Sequence, residues 1–178
     1  LSIIVLNRNG DEHLKNLFNS FLIHNSYPHL EFIVVDHDSE DGSIATIENF
    51  QNSLPIKLIS YKENYSYSYS NNRAAESSNA PYLLFLNNDI IFKADVIPDL
   101  LEEIENDEET GILGARLKFA TDELQHAGIC FEEDFEFGFF RPYNIDGSYI
   151  GELSKTEKSY FPAVTAAAAL CRREEFLK

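Results

Sequence analysis

Four short apolar runs, at residues 2–6, 31–36, 56–61 and 82–87, alternate along the chain with segments whose apolar residues recur at helical spacing. Runs this short, ended by polar residues, suit strands buried on both faces, the habit of a parallel sheet packed between helices. The segments between them supply those helices. Over residues 11–24, Leu14, Leu17, Phe18, Phe21 and Leu22 fall on one face at the i, i+3, i+4, i+7, i+8 spacing. Residues 43–51 turn Ile44, Ile47 and Phe50 inward, and a helix over 70–78 leads into the run that ends at Asn87. The alternation predicts an α/β fold with a mostly parallel sheet flanked by helices.

Two of these runs end on carboxylates. Residues 82–86 stop at Asn87-Asn88-Asp89, and residues 31–35 stop at Asp36, followed by the turn-rich His37-Asp38-Ser39-Glu40-Asp41-Gly42-Ser43. In an open α/β sheet, ligands bind outside the carboxyl ends of the strands. A hard carboxylate such as Asp89 can carry a divalent cation there and, through it, a diphosphate. Asp36 can accept hydrogen bonds from a base or a ribose. The plainer alternatives stand beside these: Asn-Asn-Asp makes an ordinary turn, Asp36 can cap the turn that follows, and Asp41-Gly42-Ser43 is an ordinary entry to a helix. Arg8 and Asn9 follow the first strand at the same edge, where Arg8 could meet phosphate or simply face solvent.

With 178 residues, 44% of them hydrophobic, the chain has the material for one core, and one domain over residues 1–178 is expected. No run approaches the roughly 18 apolar residues of a membrane span. Residues 1–6 are too short and lack the basic flank of a signal peptide. The 14 basic and 30 acidic residues, net charge −16, argue against nucleic acid and against anchoring on anionic lipid. A diphosphate site in so acidic a chain needs a cation or helix N-termini to offset repulsion, which favours a metal at Asp89. Cys130 and Cys171 show no metal-ligand spacing and read as reduced, buried thiols, with the cytoplasm as the default compartment. The lack of any methionine suggests a processed or excised segment.

After Asp89 the pattern changes. Asp95 can cap a helix with Pro98 in its first turn, running to about residue 106 and burying Ile97, Leu101 and Ile104. Residues 111–119, 124–131 and 159–165 read as strands, 135–149 as an aromatic, glycine-containing loop, and 170–178 as the start of a further element. The alternation Tyr65-Ser66-Tyr67-Ser68-Tyr69-Ser70 has the period of a strand.

In their order and spacing these segments resemble the family 2 glycosyltransferases of the GT-A fold, inverting enzymes that use nucleotide-sugar donors. Residues 1–10 match the first strand and its polar loop. Tyr27-Pro28 with residues 31–43 match the signature Val-Val-Asp-x-x-Ser-x-Asp-Gly-Ser, and residues 63–72 match the loop that typically ends in Ala-x-Asn-x-Gly. Residues 82–89 match the strand ending in a variant of the Asp-x-Asp metal motif, and residues 124–129 and 164–173 resemble later segments of a polysaccharide-synthesis branch. The resemblance implies a Rossmann-like GT-A domain, with a nucleotide-sugar-binding half at 1–92 and a partial acceptor-side half at 93–178 holding a smaller β region. It implies donor contacts from Asn9, Asp36, Asp41, Asn72 and Asn88, and Mg²⁺ or Mn²⁺ at Asp89. The implied partners are a nucleotide diphosphate sugar and a glycan or glycolipid acceptor. The implied setting is surface polysaccharide or glycolipid synthesis, in the cytoplasm at the inner face of the membrane.

The chain departs from the pattern where Ser66 and Ala74 replace glycines, and the family places a loop and helix start where the tyrosine alternation suggests a strand. His126 could face the acceptor or sit satisfied on a strand edge. An inverting transfer needs a general base, which in the family lies downstream of a segment like residues 166–178. The chain is therefore expected to be C-terminally incomplete, with Glu174 and Glu175 in an ordinary helix start and no catalytic base assigned. Two other functions remain: a degenerate nucleotide-sugar-binding module, and a nucleotidyltransferase, for whose glycine-rich basic phosphate loop Asn7-Arg8-Asn9-Gly10 is a poor match.

Overall fold

The computed structural model describes residues 1–134, 136, 138–147 and 159–178. Through the first half, strands and helices alternate as β1 (Ser2–Asn7), α1 (Asp11–His24), β2 (Glu31–His37), α2 (Ser43–Phe50), β3 (Ile56–Tyr61), α3 (Tyr67–Glu76) and β4 (Tyr82–Asn87). The second half holds α4 (Ile97–Glu105), β5 (Ile112–Gly114), β6 (Leu117–Lys118), β7 (Leu124–His126), β8 (Gly128–Asp134), β9 (Phe139–Ile145), β10 (Ala168–Arg172) and α5 (Arg173–Phe176). One six-stranded sheet has the order β3-β2-β1-β4-β10-β5, and β6-β7 and β8-β9 form two small antiparallel pairs. Strands β1 to β4 are parallel, and β10 runs antiparallel between β4 and β5.

The central strands are apolar on both faces because both faces are covered. On one side Ile3, Val5, Phe32, Val34, Leu84 and Leu86 pack with Leu14, Leu17, Phe18 and Phe21 of α1, Ile47 of α2 and Ile97, Leu101 and Ile104 of α4. On the other side Ile4, Ile33, Val35, Leu83 and Phe85 meet Ala74 and Ala75 of α3. Phe32 lies edge-on to Phe18 (5.3 Å) and Phe21 (4.9 Å), and Phe18 also meets Phe50 at 5.1 Å. Leu22, placed inward by helical spacing, is 43% exposed, at the margin of the face α1 buries. In α2 Thr46 and Ile47 are buried while Ile44 and Phe50 are half-buried.

The tyrosine alternation is helical, not extended. Ser66 caps α3 by accepting from the Tyr69 N–H at 3.3 Å, and Tyr65 and Tyr69, four residues apart, stack at 4.7 Å. Every fourth residue shares a face in a helix as well as in a strand, so the period alone did not decide. Ser66 has φ −65° and needs no glycine. At position 74 the sheet wants a small side chain against it, which alanine supplies. Helix α4 is capped at Val96, not Asp95, whose Oδ1 is buried with no hydrogen-bond partner among the described residues.

Past α4 the strand assignments are refined. Residues 111–119 split into β5 and β6, and residues 124–131 break at Ala127 into β7 and β8. The stretch expected to be a loop contains β9, paired in register with β8 from Gly128↔Ile145 to Asp134↔Phe139. Residues 135, 137, 148 and 149 of that stretch lie outside the described residues. Residues 159–165 contribute one bridge, Ala163 to Ile129, and the strand falls instead on β10. Ala168, Ala169, Leu170 and Cys171 are all buried, since β10 inserts into the sheet between β4 and β5. Both cysteines are free as expected, but Cys130 is only half-buried.

Two outcomes follow from this packing. Phe18→Ala should lower the unfolding free energy in urea by about 3–5 kcal/mol, because the ring fills the junction of α1, α2 and β2; a loss under about 1 kcal/mol would contradict that role. Burial, with Glu175 adding in the same direction, pushes the Cys171 thiol up to about 11. Iodoacetamide at pH 8 should therefore modify Cys130 in the native protein and reach Cys171 only after denaturation, as read by peptide mass spectrometry.

Candidate functional site

The register brings three polar strand ends into one row. Asn7 of β1 lies opposite Asp36 of β2, and Leu6 lies opposite Asn87 of β4. The chain builds β1, β2 and β3 outward on one side of β1, then crosses to place β4 on the other. The row therefore sits at the reversal of strand order, where open α/β sheets form their ligand crevice.

Asp36, 1% exposed, is held by its neighbours. Its Oδ1 accepts from the Ser39 N–H at 3.0 Å; its Oδ2 accepts from Ser39 Oγ at 2.6 Å and from Asn7 Nδ2 at 2.9 Å. The loops after β1 and β2 are then clipped together. The Asn9 N–H donates to Ser39 Oγ at 2.8 Å, and Asn9 Oδ1 accepts from the Glu40 N–H at 2.8 Å. Asn9 (φ 52°) and Asp38 (φ 55°) adopt the left-handed conformation these tight turns require, which Asn and Asp tolerate best after glycine. Asp41 joins two helix starts, accepting from the Ser43 N–H at 2.9 Å and the Asp11 N–H at 3.0 Å. Desolvation would raise its pKa, but these bonds outweigh it and hold the carboxyl below its usual value.

On the β4 side, Asn88 Nδ2 donates to Asn7 Oδ1 at 2.9 Å. At Gly10 a Cβ would push the Asn7 and Asn88 amides out of this contact. Asn87 and Asp89 are exposed and Asn88 is half-buried. A cavity of about 240 Å³ opens beside the row, lined by Leu6, Leu86, Asn87, Asn88, Tyr67 and Asn71. Among the described residues no three His, Cys, Asp or Glu side chains converge to cage a metal. The exposed carboxylate of Asp89, which follows Asn87 and Asn88 in the chain, offers the hard oxygen chemistry that suits Mg²⁺ or Mn²⁺, which keep waters and take most other ligands from phosphate. Asp89, with Asn87 and Asn88, is where such a cation would be held.

The structure thus gathers Asn9, Asp36 and Asn88 into one hydrogen-bonded network, with Asp41 clamping the adjoining helix starts and Asp89 beside it. Asn72 is not part of it: it is exposed on α3, on an adjoining apolar groove of about 220 Å³ lined also by Phe85, Val164 and Phe176, which shares Tyr67 and Asn71 with the cavity beside the row. Arg8 is exposed. His126 is buried, with Nε2 accepting from the Thr165 N–H at 3.2 Å. Burial lowers its pKa against an opposing hydrogen bond with Asn144, so it is a satisfied strand-edge histidine. Glu174 and Glu175 are exposed on α5.

Sequence reasoning missed Asn7, Ser39 and the histidine after Asp36. His37 is buried; its Nδ1 donates to the Asn7 carbonyl at 3.2 Å, and Nε2 pairs with Ser70 Oγ at 2.7 Å, tying the row to α3. A signal existed for Asn7, the first polar residue after an apolar run at the same edge as Asp36.

The family model described as glycosyl transferase family 2 matches residues 2–160. The O-antigen biosynthesis protein RfbC of Myxococcus xanthus is 31% identical over 99% of this chain, which spans only 14% of that relative's length. Among solved structures, the mannosyltransferase PcManGT of Pyrobaculum calidifontis, in complex with GDP-Man and Mn²⁺, superposes with a TM-score of 0.60 at 19% identity. That match covers 68% of this chain and 36% of that one. Residues 1–349 of S. aureus TarS, in complex with UDP-GlcNAc, give 0.58 at 24% identity, covering 66% of this chain and 34% of that fragment. These structures share the GT-A architecture of a mostly parallel sheet with flanking helices. The segment-by-segment resemblance, the strand order and the family match agree, and the chain belongs to glycosyl transferase family 2.

Proposed function

We propose that this chain binds a nucleotide diphosphate sugar with a divalent cation and serves an inverting transfer of the sugar to an acceptor hydroxyl. The carrying observation is the row Asp36–Asn7–Asn88, with Asp89 exposed at its end, on the carboxyl edge where the strand order reverses. The complexes of PcManGT with GDP-Man and Mn²⁺ and of TarS with UDP-GlcNAc support the donor class and the cation. The name of RfbC supports surface polysaccharide assembly, with glycolipid assembly the related setting. No helix among the described residues is long and apolar enough to cross a membrane, and the proposed setting is the cytoplasm at the inner membrane face.

Within this reading the residues divide the work. Asp36 fixes Ser39 and Asn9, and one acceptor position of its Oδ1 remains for base or ribose; Asp41 holds the adjoining loop in shape. Asn88 lies toward the sugar and phosphates, and Asn72 would meet the donor only where it extends along α3 into the neighbouring groove, which shares Tyr67 and Asn71 with the cavity beside the row. Asp89 supplies a carboxylate oxygen to the cation, which when bound would neutralise the diphosphate leaving group. With a net charge of −16, the chain itself repels a diphosphate, so binding without the cation should be weak. The general base of the acceptor step is not assigned to any of these residues.

In a thermal-shift panel of UDP, dTDP and GDP sugars with Mn²⁺ or Mg²⁺, one nucleotide at 100 times its Kd should raise the melting temperature by about 5–10 °C. No shift with any nucleotide, with or without metal, would sink the donor site. Calorimetry should then separate the two carboxylates. Asp89→Ala should abolish the metal dependence of nucleotide binding; Asp36→Ala should weaken the nucleoside portion while the metal dependence persists. Wild-type affinity in both variants would rule this division out.

A further inference from the structure

The side chain of Asn7 ends the central strand with 1% of its surface exposed, placed to shape the edge rather than to touch a ligand. Its two amide atoms serve different neighbours. Nδ2 donates to Asp36 Oδ2 at 2.9 Å and to Ser39 Oγ at 3.3 Å, and Oδ1 accepts from Asn88 Nδ2 at 2.9 Å. A carboxylate at that distance admits one amide orientation, since the flipped form would set two acceptors against each other. Asp36 therefore orients Asn7, and the Asn7 oxygen in turn selects the amino group of Asn88. With its nitrogen committed to Asn7, Asn88 has its carbonyl oxygen left for the cavity it lines with Asn87, Tyr67 and Asn71. An oxygen there can accept from a sugar hydroxyl or meet a hard cation, whereas an amino group would repel that cation. The absence of a side chain at Gly10 is what lets the two amides meet.

We propose that Asn7 is a positioning residue that couples the β2 loop to the β4 turn, using the charge of Asp36 to set which end of the Asn88 amide faces a cation-bound diphosphate. This rests on the donor reading above, and the test separates the two. Calorimetry compares UDP, GDP and dTDP, each with and without Mn²⁺, on wild type, Asn7→Leu, Asn88→Leu, the double variant and Asn7→Asp. Circular dichroism checks that each is folded. Each leucine substitution should cut the affinity gain conferred by Mn²⁺ by about tenfold. The double variant should lose no more than either single one, because both break the same link. Asn7→Asp keeps an acceptor for Asn88 but sets a like charge against Asp36. It should hold the Mn²⁺ gain while weakening metal-free nucleotide binding. Full Mn²⁺ gain in Asn7→Leu, or losses that multiply in the double variant, would overturn the coupling. If Asn7→Leu does not fold, Asn7→Ser replaces it in the same cycle, its hydroxyl being too short to reach Asn88. If the wild-type chain binds none of the three diphosphates, the donor reading fails. The coupling is then judged by Mn²⁺ alone on the ¹⁵N side-chain amide signal of Asn88. Broadening in wild type that disappears in Asn7→Ser supports it; no broadening in wild type, or equal broadening in both, overturns it.

Discussion

Strand β1 pairs in parallel with β2 on one side and with β4 on the other, and the ligand edge inherits its geometry from that double pairing. Parallel strands need crossovers, and the crossovers here put α1 on one face and α3 on the opposite one, which seals both sides of β1. Ile3, Ile4 and Val5 are consequently at 0% exposure. A strand so enclosed has little freedom to slip, since a one-residue shift would exchange its two faces and move Asn7 away from Asp36. The apolar packing of the middle of the sheet thus sets the positions of polar atoms at its end.

The two carboxylates that frame the edge are kept apart in character by their surroundings. Asp36 is buried and held by Asn7 and Ser39, so the shape of its loop is fixed before any ligand arrives. Asp89 is exposed in the turn after β4, and on the proposed reading it would take a hydrated cation there. Asn7 stands between the two sites and is the neutral link that lets a buried charge on one strand influence a turn two strands away.

The later part of the chain closes the sheet by a different rule. Strand β10 enters antiparallel beside β4 and buries Ala168 and Ala169. Arg172 then fastens it to the far end of α4 through the carbonyls of Thr110 (2.9 Å), Asp107 (3.1 Å) and Ile104. The β8–β9 pair stands largely outside this core, with Phe131, Phe139 and Phe140 exposed. Such a pair reads poorly from periodicity, because neither of its faces is reliably apolar.

Much of the architecture was written in local pattern. Apolar runs of strand length separated by helix-periodic segments specify a doubly covered parallel sheet, and the face of α1 buries all but one of the five residues its spacing assigned to it. The carboxylates at Asp36 and Asp89 were legible for the same reason, as abrupt polar ends of buried runs. Tertiary structure alone decided which residues share atoms. Helix or strand at Tyr65 to Ser70 turned on a cap by Ser66 and on what α3 had to pack against, since residues four apart, such as Tyr65 and Tyr69, share a face in either. The partnership of Asn7 with Asp36 and Asn88 joins residues 29 and 81 positions apart, and only strand register brings them together. Local sequence carries propensity and periodicity, which are properties of neighbours along the chain. The orientation of a buried amide depends on a charge contributed from elsewhere, and no local pattern encodes that.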